Sequence, residues 1–227
     1  MVDAFMILGG VAVAVLGLTV HEAAHALAAD RLGDPTPRLT GRLTLNPLPH
    51  IDLFLTIILP GLLLISGSPF LFGGAKPVLV QPHYFRNPSR DMALVAAAGP
   101  LSNLVQAFLW ALVLNLFLRF GIWDADARGI FILQIGITLN LVLMLFNLFP
   151  IPPLDGSRIV AHFLKGEARQ SYMQLERYGI FILLGIIFFV PGFHTVLLGS
   201  LQWCGDLIAD IAGVPAGVPW WPVVQGG

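Results

Sequence analysis

Apolar stretches long enough to cross a bilayer dominate this chain, and they leave little room for any other architecture. A helix needs roughly 20 apolar residues to span the hydrocarbon. Runs at 4 to about 29, 92–117, 130–149 and 180–198 meet or approach that length. A shorter run at 53–65 is broken by Pro60-Gly61. Only 11% of the 227 residues are charged and 56% are hydrophobic, whereas a soluble domain carries about 25% charge. Such a chain cannot cover a water-soluble surface with polar groups. The expectation is an all-α polytopic membrane protein. The first run lacks a cleavage-site pattern and leads into a polar cluster, so it reads as a retained helix rather than a signal peptide. A net charge of −1 gives no pull toward nucleic acid. Cys204 stands alone, which excludes an intrachain disulfide and any four-cysteine zinc site.

Loop charges choose the topology. If 53–65 spans, the Lys and Arg residues divide 5 against 7 and orient nothing. If the segment 52–66 dips in and returns, ten share one face and only Arg119 and Arg128 lie opposite. By the positive-inside rule the basic face is cytoplasmic. The expected fold is a helical bundle of four crossings with a re-entrant segment, with both the N-terminus and the C-terminal tail outside. Residues 73–84 alternate loosely between prolines, which suggests a short cytoplasmic-side β element at an edge. Trp203, Trp220 and Trp221 fit an interfacial belt at the outer surface. The chain reads as one membrane-embedded domain, residues 1–227, with a core at about 4–160 and a peripheral helix and tail at about 178–227.

Chemistry concentrates in His21-Glu22-Ala23-Ala24-His25. Residues four apart on a helix share a face, so both imidazoles can hold one Zn²⁺, with the neighbouring Glu as general base. Ionisable groups inside an apolar helix are costly and usually functional. Catalytic zinc takes three protein ligands and keeps a position open. Of the 13 carboxylates, topology places Asp3, Asp124, Asp126, Asp206 and Asp210 outside. Asp30 and Asp34 lie more than a turn beyond His25, and Glu167 and Glu176 sit in a polar loop. Asp155 follows the fourth long run within Asn147-Leu148-Phe149-Pro150-Ile151-Pro152-Pro153-Leu154-Asp155-Gly156. Alone, Pro-Pro-x-Asp-Gly is a turn. Irregular backbone at membrane depth is tolerated where it lines a cavity, and this one falls on the face of the His pair.

Together these elements resemble the site-2 protease family of intramembrane zinc metalloproteases, over most of the chain from Val20 to about Val160. Gly41-Arg42-Leu43-Thr44-Leu45-Asn46-Pro47, Gly74-Ala75-Lys76-Pro77-Val78 and Ala98-Gly99-Pro100-Leu101-Ser102-Asn103 are similar to the short prokaryotic branch, without PDZ or CBS appendages. The resemblance implies one Zn²⁺ per chain on His21, His25 and Asp155, with Glu22 as base and Asn147 as helper at the substrate carbonyl or oxyanion. It implies hydrolysis of a peptide bond within or near a transmembrane helix of a membrane-protein substrate. The expected setting is the lipid bilayer of a prokaryotic inner membrane, with the active site toward the cytoplasm. An edge strand at 76–80 would pair with the unwound substrate.

Other residues read as structural. His50 and His83 fit loop hydrogen bonding, although Asp52 beside His50 leaves a second metal site conceivable. His162 reads as a loop or helix residue, and His194 as near the outer end of the fifth run. Gly99-Pro100 and Asn103 read as small residues that let the third run pack against the His-bearing helix. A metal transporter would use the same ligands but needs ionisable positions along a path across the membrane. The outer halves of these runs are nearly free of them. A catalytically silent scaffold would have no need of Glu22.

Overall fold

A computed structural model describes residues 4–66, 73–121 and 128–222 of the chain. Asp3, Asp124 and Asp126 lie outside the described residues. Among the described residues, nine α-helices follow in order: α1 Ala4–Leu32, α2 Thr36–Leu39, α3 Leu59–Ile65, α4 Pro88–Arg119, α5 Arg128–Asn147, α6 Asp155–Phe163, α7 Gly166–Gln174, α8 Gly179–Phe189 and α9 Phe193–Ala212. Four described stretches are long and apolar enough to cross a membrane: α1, α4, α5 and the segment Gly166–Phe189.

Ends of the long helices follow local chemistry. Gly33, at φ +113°, takes the left-handed turn that ends α1. Asn87 caps α4 by accepting the Arg90 N–H, Pro88 occupies the first turn, and the buried Asp91 carboxylate accepts the Asn87 N–H.

The centre is a three-helix packing of α1, α4 and α5. Val13, Gly17, His21, His25 and Ala29 form a buried stripe at four-residue spacing along α1, and Val95, Gly99, Asn103, Ala107 and Ala111 form its counterpart on α4. Pairing runs from His25 with Val95 to Gly17 with Asn103, so α1 and α4 are antiparallel. Gly9 meets Ile132 and Gly17 meets Asn140, so α5 runs parallel to α1. Small residues on these stripes permit close approach where lipid supplies no hydrophobic drive. Beyond Asn103, an apolar core of Ala107, Ala111, Leu114, Leu133, Ile137 and Leu141 joins α4 and α5 to Ile208 and Ala209 of α9.

Three expectations change. The β element does not form: among the described residues there is no strand, and 73–81 is irregular chain leading into a one-turn 3₁₀ helix at Pro82–Tyr84. A strand needs a ladder partner, and here the N–H groups of Lys76, Val78 and Gln81 go to the His50 carbonyl, the Glu22 carboxylate and the Asp34 carboxylate. The pairing edge expected for substrate is therefore spent on internal bonds. The run 180–198 is broken at Gly192, whose φ of +85° starts a second helix. Phe193 packs on Phe149 at 5.1 Å, and Asn115 donates to the Ala212 carbonyl at 2.9 Å. Thus α9, about 30 Å long at 1.5 Å per residue, runs the height of the bundle, and His194 lies at the Phe149 end rather than the outer end. Trp220 is no belt residue: it is 3% exposed, lies against Gly205, and donates its indole N–H to Asp206 at 2.8 Å.

Residues 53–65 are helical throughout, a π-helical turn Leu53–Ile58 continuing into α3. Asp52 caps this segment by accepting the Phe54 and Leu55 N–H groups. Gly74 lies back against its start, donating to the Leu55 carbonyl at 3.1 Å and accepting from the Thr56 hydroxyl at 2.6 Å.

Candidate metal centre

Helix periodicity places His21 and His25 one above the other on the buried stripe of α1, 4% and 8% exposed. Each ring spends one nitrogen on an acceptor. His25 Nδ1 donates to the Val95 carbonyl of α4 at 2.7 Å. His21 Nδ1 lies 2.6 Å from Asn103 Oδ1. The two Nε2 atoms then face each other at 3.0 Å.

Asp155 completes the group from the other side. Pro150, Pro152 and Pro153 stop regular helix after α5, and α6 begins at Asp155 itself. Gly156 makes this turn possible, since a Cβ there would fall 2.2 Å from the Leu148 carbonyl oxygen. Tyr172 ties down the preceding loop by donating to the Pro150 carbonyl at 2.7 Å. Asp155 Oδ2 is thereby brought to 3.3 Å from both Nε2 atoms.

These three atoms fit a metal ion. With Nδ1 protonated on both rings, each Nε2 presents a bare lone pair, and Asp155 Oδ2 is buried without a hydrogen-bond partner. Three lone pairs at edges of 3.0 to 3.3 Å repel unless a cation sits among them. A tetrahedral zinc site with ligand bonds of about 2.0–2.1 Å has edges close to this length. Among the described residues, this is the one group of three or more His, Cys, Asp or Glu side chains whose ligand atoms converge, all within 4.8 Å. Glu22, on the adjoining face of α1, accepts the Val78 N–H at 3.0 Å through Oε2.

Other sequence candidates do not join it. Asn147 turns its amide back to the Leu143 carbonyl at 3.0 Å. His50 is 1% exposed and bonds the Thr44 carbonyl at 3.0 Å, while Asp52 is spent on its cap, so they make no second metal group. His162 pairs with the Ser89 hydroxyl at 3.1 Å. Conversely, Gly99 and Asn103, which the sequence presents as packing residues, both touch the imidazoles. Asn140, which has no motif to mark it, bonds Asn103. The available signal was a costly amide in the middle of an apolar helix.

Comparison with known proteins agrees with this geometry. The model of "Peptidase family M50" matches residues 120–190, which include Asp155. YwhC of Bacillus subtilis, which bears the name of a zinc metalloprotease, is 41% identical over 200 residues, covering 87% of each chain. Rip2 of Mycolicibacterium smegmatis, named likewise, is 31% identical over 194 residues, 85% of this chain and 71% of the relative. Rip2 of Mycobacterium tuberculosis is 29% identical over 196 residues, 85% and 71%. No solved structure matches the chain. With a catalytic-type metal group inside an apolar bundle and relatives at 41% and 31% identity covered over 87% and 71% of their length, the chain belongs to peptidase family M50, the site-2 protease family of zinc metalloproteases.

Proposed function

We propose that this protease holds its Zn²⁺ on His21, His25 and Asp155 and cleaves peptide bonds within or beside a transmembrane helix of a membrane-protein substrate. One observation carries the reading: three lone-pair atoms converge beside the Glu22 carboxylate, on helices that otherwise present apolar surface. Bound there, Zn²⁺ supplies Lewis acidity that polarises a scissile carbonyl and lowers the pKa of water at the site. Glu22 takes the proton of the attacking water on its carboxylate and returns it to the leaving amine. Its Oε2 stays on the Val78 N–H, which leaves Oε1 for the water. Asn147, released from the Leu143 carbonyl, offers its amide to the developing oxyanion, a contact worth roughly 100-fold or more in rate. A substrate helix locks its carbonyls in internal bonds and must unwind locally before any of this.

The bilayer setting is part of the proposal. Residues 53–65 enter and return as a re-entrant segment, a reading supported by the contact of Gly74 with Leu55 near the segment's start. The setting proposed is a prokaryotic inner membrane, and the ten basic residues on one side support a cytoplasmic position for the Asp155 end of the bundle.

Zinc content and cleavage of a single-span test protein, measured in detergent for wild type, Glu22→Gln and Asp155→Ala, test the reading. Wild type is expected to carry one zinc and cleave, Glu22→Gln to keep zinc and lose cleavage, and Asp155→Ala to lose both. Zinc retained at wild-type affinity by Asp155→Ala would remove Asp155 from the ligand set, and cleavage by Glu22→Gln would remove Glu22 as base.

A further inference from the structure

The hydrogen bonds behind His21 admit only one placement of protons. The Gly136 carbonyl can only accept, so the end of Asn140 that lies 2.9 Å from it is the amide nitrogen. Asn140 therefore turns Oδ1 toward Asn103, which meets it with Nδ2 at 2.9 Å. The Gly17 carbonyl, 3.4 Å from the same Nδ2, fixes Asn103 independently. Asn103 Oδ1 must then face His21, and His21 Nδ1 must carry the proton at 2.6 Å. What remains to His21 is a bare Nε2 aimed at His25 and Asp155. Both asparagines are 0% exposed, one on α4 and one on α5.

We propose that Asn103 and Asn140 are positioning residues for His21, a relay through which α5 sets the tautomer and ring plane of a ligand carried by α1. The proposal rests on the assignment of His21 as a metal ligand. Its chemistry is general: a ligating imidazole holds its ligand nitrogen bare and oriented when the other nitrogen donates to a fixed acceptor. A carbonyl serves His25 and is fixed by its helix. An amide side chain can flip, and Asn140 with Gly17 prevents Asn103 from doing so. Plain helix-to-helix glue is the competing role, and α4 offers an internal control for it. Asn115 is also buried and bonds the Ala212 carbonyl of α9, with no link to His21.

Zinc affinity by chelator competition, alongside the melting temperature of the chelated protein, separates these roles in the whole detergent-purified chain. Asn103→Leu is expected to bind zinc about 10- to 100-fold more weakly. Asn140→Leu should show a smaller loss, and the double variant should bind no more weakly than Asn103→Leu alone. Asn103→Asp, which keeps an oxygen toward His21, should restore most of the affinity. Asn115→Leu should lower the melting temperature and leave zinc affinity unchanged. Wild-type affinity in folded Asn103→Leu overturns the relay; if that variant does not fold, wild-type affinity in Asn140→Leu does. Independent, multiplying losses from Asn103→Leu and Asn140→Leu, or equal zinc loss in Asn115→Leu, also overturn it. His21→Ala distinguishes the underlying assignment: if it keeps zinc, His21 is no ligand; if it loses zinc while the asparagine variants do not, only the relay fails.

Discussion

A Cβ on Gly99 would lie 2.4 Å from His25 Nε2 and 2.6 Å from His21 Cε1. Helix α4 thus presses bare backbone against the two imidazoles, and any side chain at position 99 enters the space where their free nitrogens point. Gly99→Ala is expected to lose stoichiometric zinc, and overpacking of this kind costs about 1–3 kcal/mol of stability. Metal analysis of the purified variant checks the first, and denaturant unfolding the second. A fully zinc-loaded Gly99→Ala would mean that α1 and α4 can part without cost.

The opposite end of the bundle should behave independently. Trp220 fills the space above Gly205, where a Cβ would meet its ring at 2.0 Å, and the neighbouring Pro219 carbonyl accepts from Gln134 of α5. Trp220→Ala is expected to destabilise the fold by about 3 kcal/mol or more, in the range for buried aromatic deletions. Zinc affinity should stay within twofold of wild type. Unfolding curves and chelator competition on one preparation read both quantities.

How much of this was legible in the sequence depends on the range of the cause. The long helices follow from apolar run length, a local property, and the His pair follows from four-residue spacing. Asp155 could be singled out because topology, distance from His25 and loop position together removed most of its rivals. Apart from the local break at Gly192, the failures involve partners remote in sequence. Residues 73–81 alternate like a strand, but their donors are claimed by Glu22 and Asp34, 56 and 47 residues away. Trp220 looks like a membrane anchor until Gly205 and Asp206 are seen beneath it. Asn103 and Asn140 lie 37 residues apart, and no periodicity announces that they meet.

Metal removal should cost stability as well as activity. Convergence of His21 Nε2, His25 Nε2 and Asp155 Oδ2 is unfavourable without a cation between them. Binding to the folded chain alone stabilises it by about 2.7 kcal/mol at a free metal concentration 100 times Kd. Chelation is therefore expected to lower the wild-type melting temperature, and added Zn²⁺ to restore it. His21→Ala should melt at one temperature with or without chelator. A wild-type melting curve indifferent to chelator would contradict coupling between this group and the fold.

Glu22 and Val78 give the last prediction. Val78 meets the site through its backbone N–H, which Glu22 Oε2 accepts, so the side chain's identity should matter little and the N–H a great deal. Segment 73–81 is pinned on both sides of this contact, by the Lys76 N–H on the His50 carbonyl and by the Gln81 N–H on Asp34, a carboxylate of 0% exposure. The amide therefore holds the carboxylate at a fixed place beside the metal group. Val78→Ala should cleave within twofold of wild type. Val78→Pro removes the donor, and a misplaced base forfeits much of the 100-fold or greater effect typical of general acid–base catalysis. At least tenfold slower cleavage with unchanged zinc content is expected, seen in kcat rather than KM. Asp34→Ala should reproduce part of the loss by freeing the segment, since it strips the partner from the Gln81 and Thr36 N–H groups. If Val78→Pro cleaves at the wild-type rate, the contact restrains Glu22 only at rest and plays no part in placing the base for the reaction.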